Sequence, residues 1–186
     1  MNIALSWDLF VIVFFAIIIA YSFIVGRNQT IKIIIGTYMA TLTADGIANL
    51  AYQYLGGPNP IVKFLGGASA EEIMIGMKIL IFIVVMVIIA VRGGFQVSIL
   101  NEQKLPVRLL TTFLFGVLNA GLIVSTLLLY ISGLSLIGAA GFATTAPTFA
   151  ADSMVIQLMI QNYSLWFSLP AISLVVISLV EGEPMD

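Results

Sequence analysis

The chain has 186 residues, 61% of them hydrophobic and only 9% charged, against roughly 25% charged residues in soluble domains. Seven Lys and Arg stand against nine Asp and Glu, a net charge of -2 with no basic stripe, which excludes nucleic acid as a partner. Cysteine and histidine are both absent, which excludes disulfides, thiol chemistry, zinc sites of the usual type and histidine acid–base catalysis.

Too few polar groups are present to cover a soluble surface, so the lipid bilayer is the expected solvent. Five apolar runs are expected to be helical, at about residues 9–25, 33–54, 73–91, 109–131 and 154–180. Each of the first four has close to the roughly 20 residues that cross the hydrocarbon core. The runs lack the alternation of a membrane barrel, and an open sheet cannot sit in lipid. The expected fold is an all-α polytopic membrane bundle in one domain. It has four transmembrane helices and a fifth membrane-embedded C-terminal helix broken at Pro170.

Run one, "LFVIVFFAIIIAYSFIV", follows Trp7 and Asp8, with no Lys or Arg before it and "GRNQTIK" after it. A signal peptide wants a positive leading segment, so this run reads as an uncleaved first membrane helix with its N-terminus outside. Arg27, Lys32, Arg92, Lys104 and Arg108 flank the loops on one side, and only Lys63 lies on the other. That five-to-one bias places the first and third loops in the cytoplasm. Trp7, Tyr52 and Tyr54 then fall at the outer boundary, where amphipathic rings are favoured.

Run two carries Thr37, Thr41, Asp45, Asn49 and Gln53 at four-residue steps, a polar stripe on one helix face. Lipid offers such a stripe no hydrogen bonds, so it should face other helices. A charge at mid-span costs roughly 2.5–3.5 kcal/mol on insertion scales, so Asp45 needs compensation. Lys78 in run three is the natural partner. The two runs are antiparallel neighbours, and counting from their outer ends puts the residues within roughly 6 Å in depth. A functional reading makes the pair a proton or ion relay, or a gate. A structural reading has Lys78 snorkel to the headgroups, or has the pair set helix register.

Run four follows Pro106, which suits a helix start. Gly116 and Ala120 form a small-xxx-small pair that admits a neighbouring backbone, either within the monomer or in an oligomer. Asn119 can hydrogen-bond across helices. Residues 132–152, "SGLSLIGAAGFATTAPTFAAD", are rich in small residues and read as a loop lying on the bundle or as a re-entrant piece. In run five, Gln157, Gln161, Ser164 and Ser168 share one face. The part before Pro170 is either an amphipathic helix in the interface or the first half of a kinked span whose polar stripe faces the bundle.

No zinc-protease, nucleophile-elbow or phosphate-loop motif is present, and Gly56–Gly57, Gly66–Gly67 and Gly93–Gly94 read as turns and caps. No enzyme activity, cofactor or metal is expected. Asp8 before run one, Gly26–Arg27 after it, Gly36 in run two, "LLTTFLFGVLNAGLIVSTLLL" and "NYSLWFSLP" together resemble the CvpA-like (colicin V production protein) family of bacterial inner-membrane proteins. The chain departs from that family in lacking a Gly–Arg–Gly turn and in having Asn119–Ala120 where a basic residue is usual. The resemblance implies a non-enzymatic envelope factor acting through a protein partner or as a homo-oligomer. The residues themselves leave open a small channel, holin or transporter subunit using Asp45 and Lys78, or a structural subunit of a larger complex.

Overall fold

The computed structural model describes residues 7–54, 70–92, 105–134, 136 and 153–181. They form six helices: α1 Trp7–Val25, α2 Arg27–Tyr54, α3 Ala70–Arg92, α4 Leu105–Ile131, α5 Met154–Gln161 and α6 Tyr163–Glu181. There is no strand among the described residues. Helices α1 to α4 are each long and apolar enough to cross a membrane, and α5 with α6 forms a pair bent by 62°. The chain is thus a multi-pass, all-α membrane bundle. Lys63, Lys104, the three Gly–Gly pairs, nearly all of residues 132–152 and the tail after Glu181 lie outside the described residues.

The connection between α1 and α2 is a single residue. Gly26 has φ +82, a left-handed conformation that costs an L side chain roughly 1–2 kcal/mol. Its N–H closes α1 on the Ser22 carbonyl at 3.0 Å, and its own carbonyl accepts the Thr30 N–H at 3.0 Å. The Thr30 hydroxyl bonds the same carbonyl at 3.0 Å. Arg27 and Lys32 therefore belong to the first turns of α2 and not to a loop. With 28 residues, α2 is roughly 42 Å long, more than the hydrocarbon thickness.

Helix α4 is the hub and touches every other described helix. Of its most apolar stretch 78% is buried, against 17% for α1. The cause lies in its small residues. A Cβ on Gly116 would stand 3.2 Å from Ser22 Cβ and 3.5 Å from Ile19 Cα, so α1 crosses α4 there. Ala120 is buried beside Ile18 and Ile123 on the same interface. The Gly116–Ala120 pair is thus used within the chain. Gly121 faces α6, and the Trp166 ring occupies the space a Cβ would need. Gly36 does the same for α2 against α3, where Ile89 Cγ2 lies 2.8 Å from the built Cβ position. Large apolar side chains fill the spaces between these crossings, for example Val11, Val124, Leu128, Ile156 and Met159 where α1, α4 and α5 meet.

The C-terminal break is at Asn162, not at Pro170. Asn162 has φ -108 and ψ 26, outside the helical well, and caps α5. Its side chain donates to the Leu158 carbonyl at 2.8 Å, and its carbonyl receives the Leu165 N–H at 3.0 Å to start α6. Pro170 sits inside α6 and is buried. It lacks the N–H that would reach the Trp166 carbonyl. In the same turn the Phe167 carbonyl accepts a hydrogen bond from the Tyr38 hydroxyl of α2, so a neighbouring helix supports the loosened turn. The polar stripe of run five does not face the bundle. Gln157, Gln161 and Ser164 are exposed, while Ile156 and Met159 are the buried residues of α5.

Candidate functional site: a buried ion pair at the α2–α3 seam

On α2 the polar stripe runs beside an alanine stripe. Ala40, Ala44 and Ala48 are fully buried, as are Thr37 and Asp45, with Thr41 at 1%. The alanines let Phe82 of α3 and Tyr130 of α4 pack directly on α2. Each threonine satisfies its hydroxyl on its own helix: Thr37 donates to the Ile33 carbonyl and Thr41 to the Thr37 carbonyl, both at 2.8 Å. Asn49 is half-buried and Gln53 exposed.

Into this seam α3 places Lys78. Its Nζ lies 3.3 Å from Asp45 Oδ1, and both side chains are shut from solvent. Asp45 Oδ2 also accepts the Leu136 N–H at 2.8 Å. Lys78 Nζ donates to the Leu134 carbonyl at 3.4 Å and lies 5.7 Å from the centre of the Tyr130 ring, within cation–π range. Tyr130 is held in turn: its hydroxyl donates to the Thr41 carbonyl at 3.0 Å, and Phe82 meets it edge-on at 6.1 Å. Lys78 points inward and does not snorkel. Each charge has the opposite charge, a backbone group or an aromatic face around it, which is what a buried ion needs.

The structure thus joins Asp45, Lys78 and Thr41, with Asn49 one turn beyond Asp45 on the same helix. It does not join the rest. Asn119 is buried on α4 but lies 11 residues before Tyr130, roughly 16 Å along the axis. Gln157 and Gln161 are on the exposed face of α5. Two parts of the arrangement are not apparent from sequence reading. Tyr130, the Leu134 carbonyl and the Leu136 N–H complete the ion pair, and only the placement of an amphipathic ring at the end of an apolar run hints at the first. Asp8 caps α5: its Oδ1 accepts from the Ser153 hydroxyl and from the Val155 N–H at 3.2 Å, while Ser153 Oγ accepts the Ile156 N–H at 3.2 Å. An Asp in the first turn of one helix and a Ser ahead of another are the available signals.

No group of three or more carboxylate, histidine or cysteine side chains able to hold a metal occurs among the described residues. Comparison with protein-family models, with curated proteins and with solved structures returns no match.

Proposed function

We propose that this chain is a non-enzymatic protein of a bacterial inner membrane, oriented with its N-terminus outside, that acts through lateral contacts with other membrane segments. In this reading the Asp45–Lys78 pair is a lock that holds α2, α3 and the chain after α4 in register. The observation that carries it is the contrast between the two kinds of site. The ion pair finds its compensation within the chain, through Leu134, Leu136 and Tyr130. The clefts of the bundle are apolar; one of about 780 Å³ is walled by α1, α5 and α6, with Phe15, Met159 and Trp166 in its lining. The resemblance to CvpA-like envelope proteins points to the same class of role.

A second reading, a small channel, holin or transporter subunit, is favoured by the position of the pair at the meeting of three helices. Proton and ion flux in liposomes tests the choice, with native chain and Asp45→Asn compared at matched incorporation. The lock reading expects both to match protein-free vesicles. Flux through the native chain that falls in Asp45→Asn would replace it with the channel reading. Site-specific cross-linking from exposed α1 positions such as Ile12 and Ile17 in native membranes is expected to capture discrete partners or a second copy.

A further inference from the structure

A second cleft, of about 530 Å³, lies between α1 and α3 and is floored by α4. Its walls are apolar, with Phe14 and Tyr21 on one side, Phe82 and Met86 on the other, and Leu127 beneath. Its volume falls within the range of small-molecule sites. The floor carries Asn119, the fifteenth of the 27 residues of α4 and so at mid-span. Asn119 is 1% exposed, and its Oδ1 has no hydrogen-bond partner among the described residues. Thr112 and Thr126, seven residues to either side of Asn119 on α4, spend their O–H on the Arg108 and Leu122 carbonyls and so do not donate to its Oδ1. A buried amide oxygen left unpaired costs about 1–3 kcal/mol, and in lipid no water relieves it.

We infer that this cleft is a binding site for a membrane-dissolved molecule with an apolar body and a hydroxyl head, whose O–H donates to Asn119 Oδ1. A hydroxyl fits the amide in both directions, since its oxygen can also accept from Nδ2. An acyl chain alone would leave the amide unpaired. A partner helix is about 10 Å across, so little more than one turn of it would use up the roughly 530 Å³ of the cleft. A narrow chain or a flat ring suits that space better, and Phe14, Tyr21 and Phe82 offer it aromatic surface. The inference is independent of the role of the ion pair.

The test uses the full chain in phosphatidylcholine–phosphatidylglycerol nanodiscs. Dodecyl hydroquinone is the probe and its dimethyl ether, which lacks the O–H, is the control. Saturable binding of the diol is expected. The ether, and the diol on Asn119→Leu, should each bind about tenfold more weakly, the worth of one buried hydrogen bond. Ala90→Trp, which fills the cleft mouth from α3, should abolish binding while α-helical content stays native. Equal binding of diol and ether, unchanged binding by Asn119→Leu, or no saturable binding would each overturn the inference. So would a cross-link from Val87→Cys in the cleft wall to another protein chain at high yield, which would assign the cleft to a partner helix.

Discussion

Removing one member of the Asp45–Lys78 pair should cost far more than removing both. Unit charges 3.3 Å apart attract by about 5 kcal/mol at an effective dielectric near 20. Taking each ion out of water costs several kcal/mol, so the pair as a whole is close to neutral for stability. A single replacement leaves the other charge buried and unpaired, at about 3–5 kcal/mol. Lys78→Met leaves the carboxylate without its lysine, still accepting the Leu136 N–H at 2.8 Å. Asp45→Asn keeps an acceptor for that N–H and leaves Lys78 with the Leu134 carbonyl and the Tyr130 face. Lys78→Met is therefore expected to be the more damaging. The double variant Asp45→Asn/Lys78→Met should unfold within about 1 kcal/mol of the native chain, a coupling of several kcal/mol. Reversible unfolding in mixed micelles, followed by helical circular dichroism, measures all four corners of the cycle. Single variants that each lose under about 1 kcal/mol, or a double variant that loses the sum of the singles, would refute the reasoning.

Three further outcomes follow from particular contacts. Gly121→Ala places a methyl where the Trp166 ring lies, so it should lower stability by about 1–3 kcal/mol; Trp166→Ala in the same chain should recover much of the loss in thermal melts. Gly26→Ala meets no neighbouring atom but must hold φ +82; a loss of about 1–2 kcal/mol is expected, and less for Gly26→Asn, which tolerates that conformation. Asp8→Ala removes the acceptor for Ser153 and Val155, costing about 0.5–2 kcal/mol. Hydrogen exchange should then quicken in residues 154–161 and not in α2 or α3.

The membrane class and the four long helices are legible in the sequence because lipid constrains composition and length together. The limits are less so. Run two is apolar only from Ile33, yet α2 starts at Arg27: Arg27, Asn28, Gln29 and Lys32 are compatible with a helix end outside the hydrocarbon, and the boundary is set by Gly26 alone. The Asp45–Lys78 contact follows from depth along antiparallel neighbours. Its surroundings do not, since Leu134 and Leu136 act through backbone groups that carry no sequence signature. The C-terminal bend illustrates a competition. Proline marks a lost hydrogen bond, but Tyr38 from another helix supports that turn, while Asn162 supplies both a cap and an escape from helical geometry. The choice between them is tertiary. For the same reason the Gln157–Gln161 face turns outward: Ile156 and Met159 already fill the space beside Val11 and Val124.

Helices in lipid gain little from hiding apolar surface from one another, because the acyl chains are equally apolar. Their association must come from close approach and from polar groups that lipid cannot satisfy. This chain places both at few points. Gly116 brings in α1, Gly121 admits the Trp166 ring of α6, and Gly36 joins α2 to α3; the ion pair ties that last seam to the chain after α4. Exposed residues such as Ile12, Leu80 and Val175 face the solvent they would meet in any apolar helix. Substituting them within the apolar class should change stability little, whereas one methyl at Gly121 or one charge at the α2–α3 seam should be felt by several helices. The order of sensitivity is thus inverted relative to a soluble domain, where large apolar side chains carry the fold. Asn119 is the buried carboxamide on α4 that lines the α1–α3 cleft, and its unpaired oxygen is why a ligand is sought for it outside the chain.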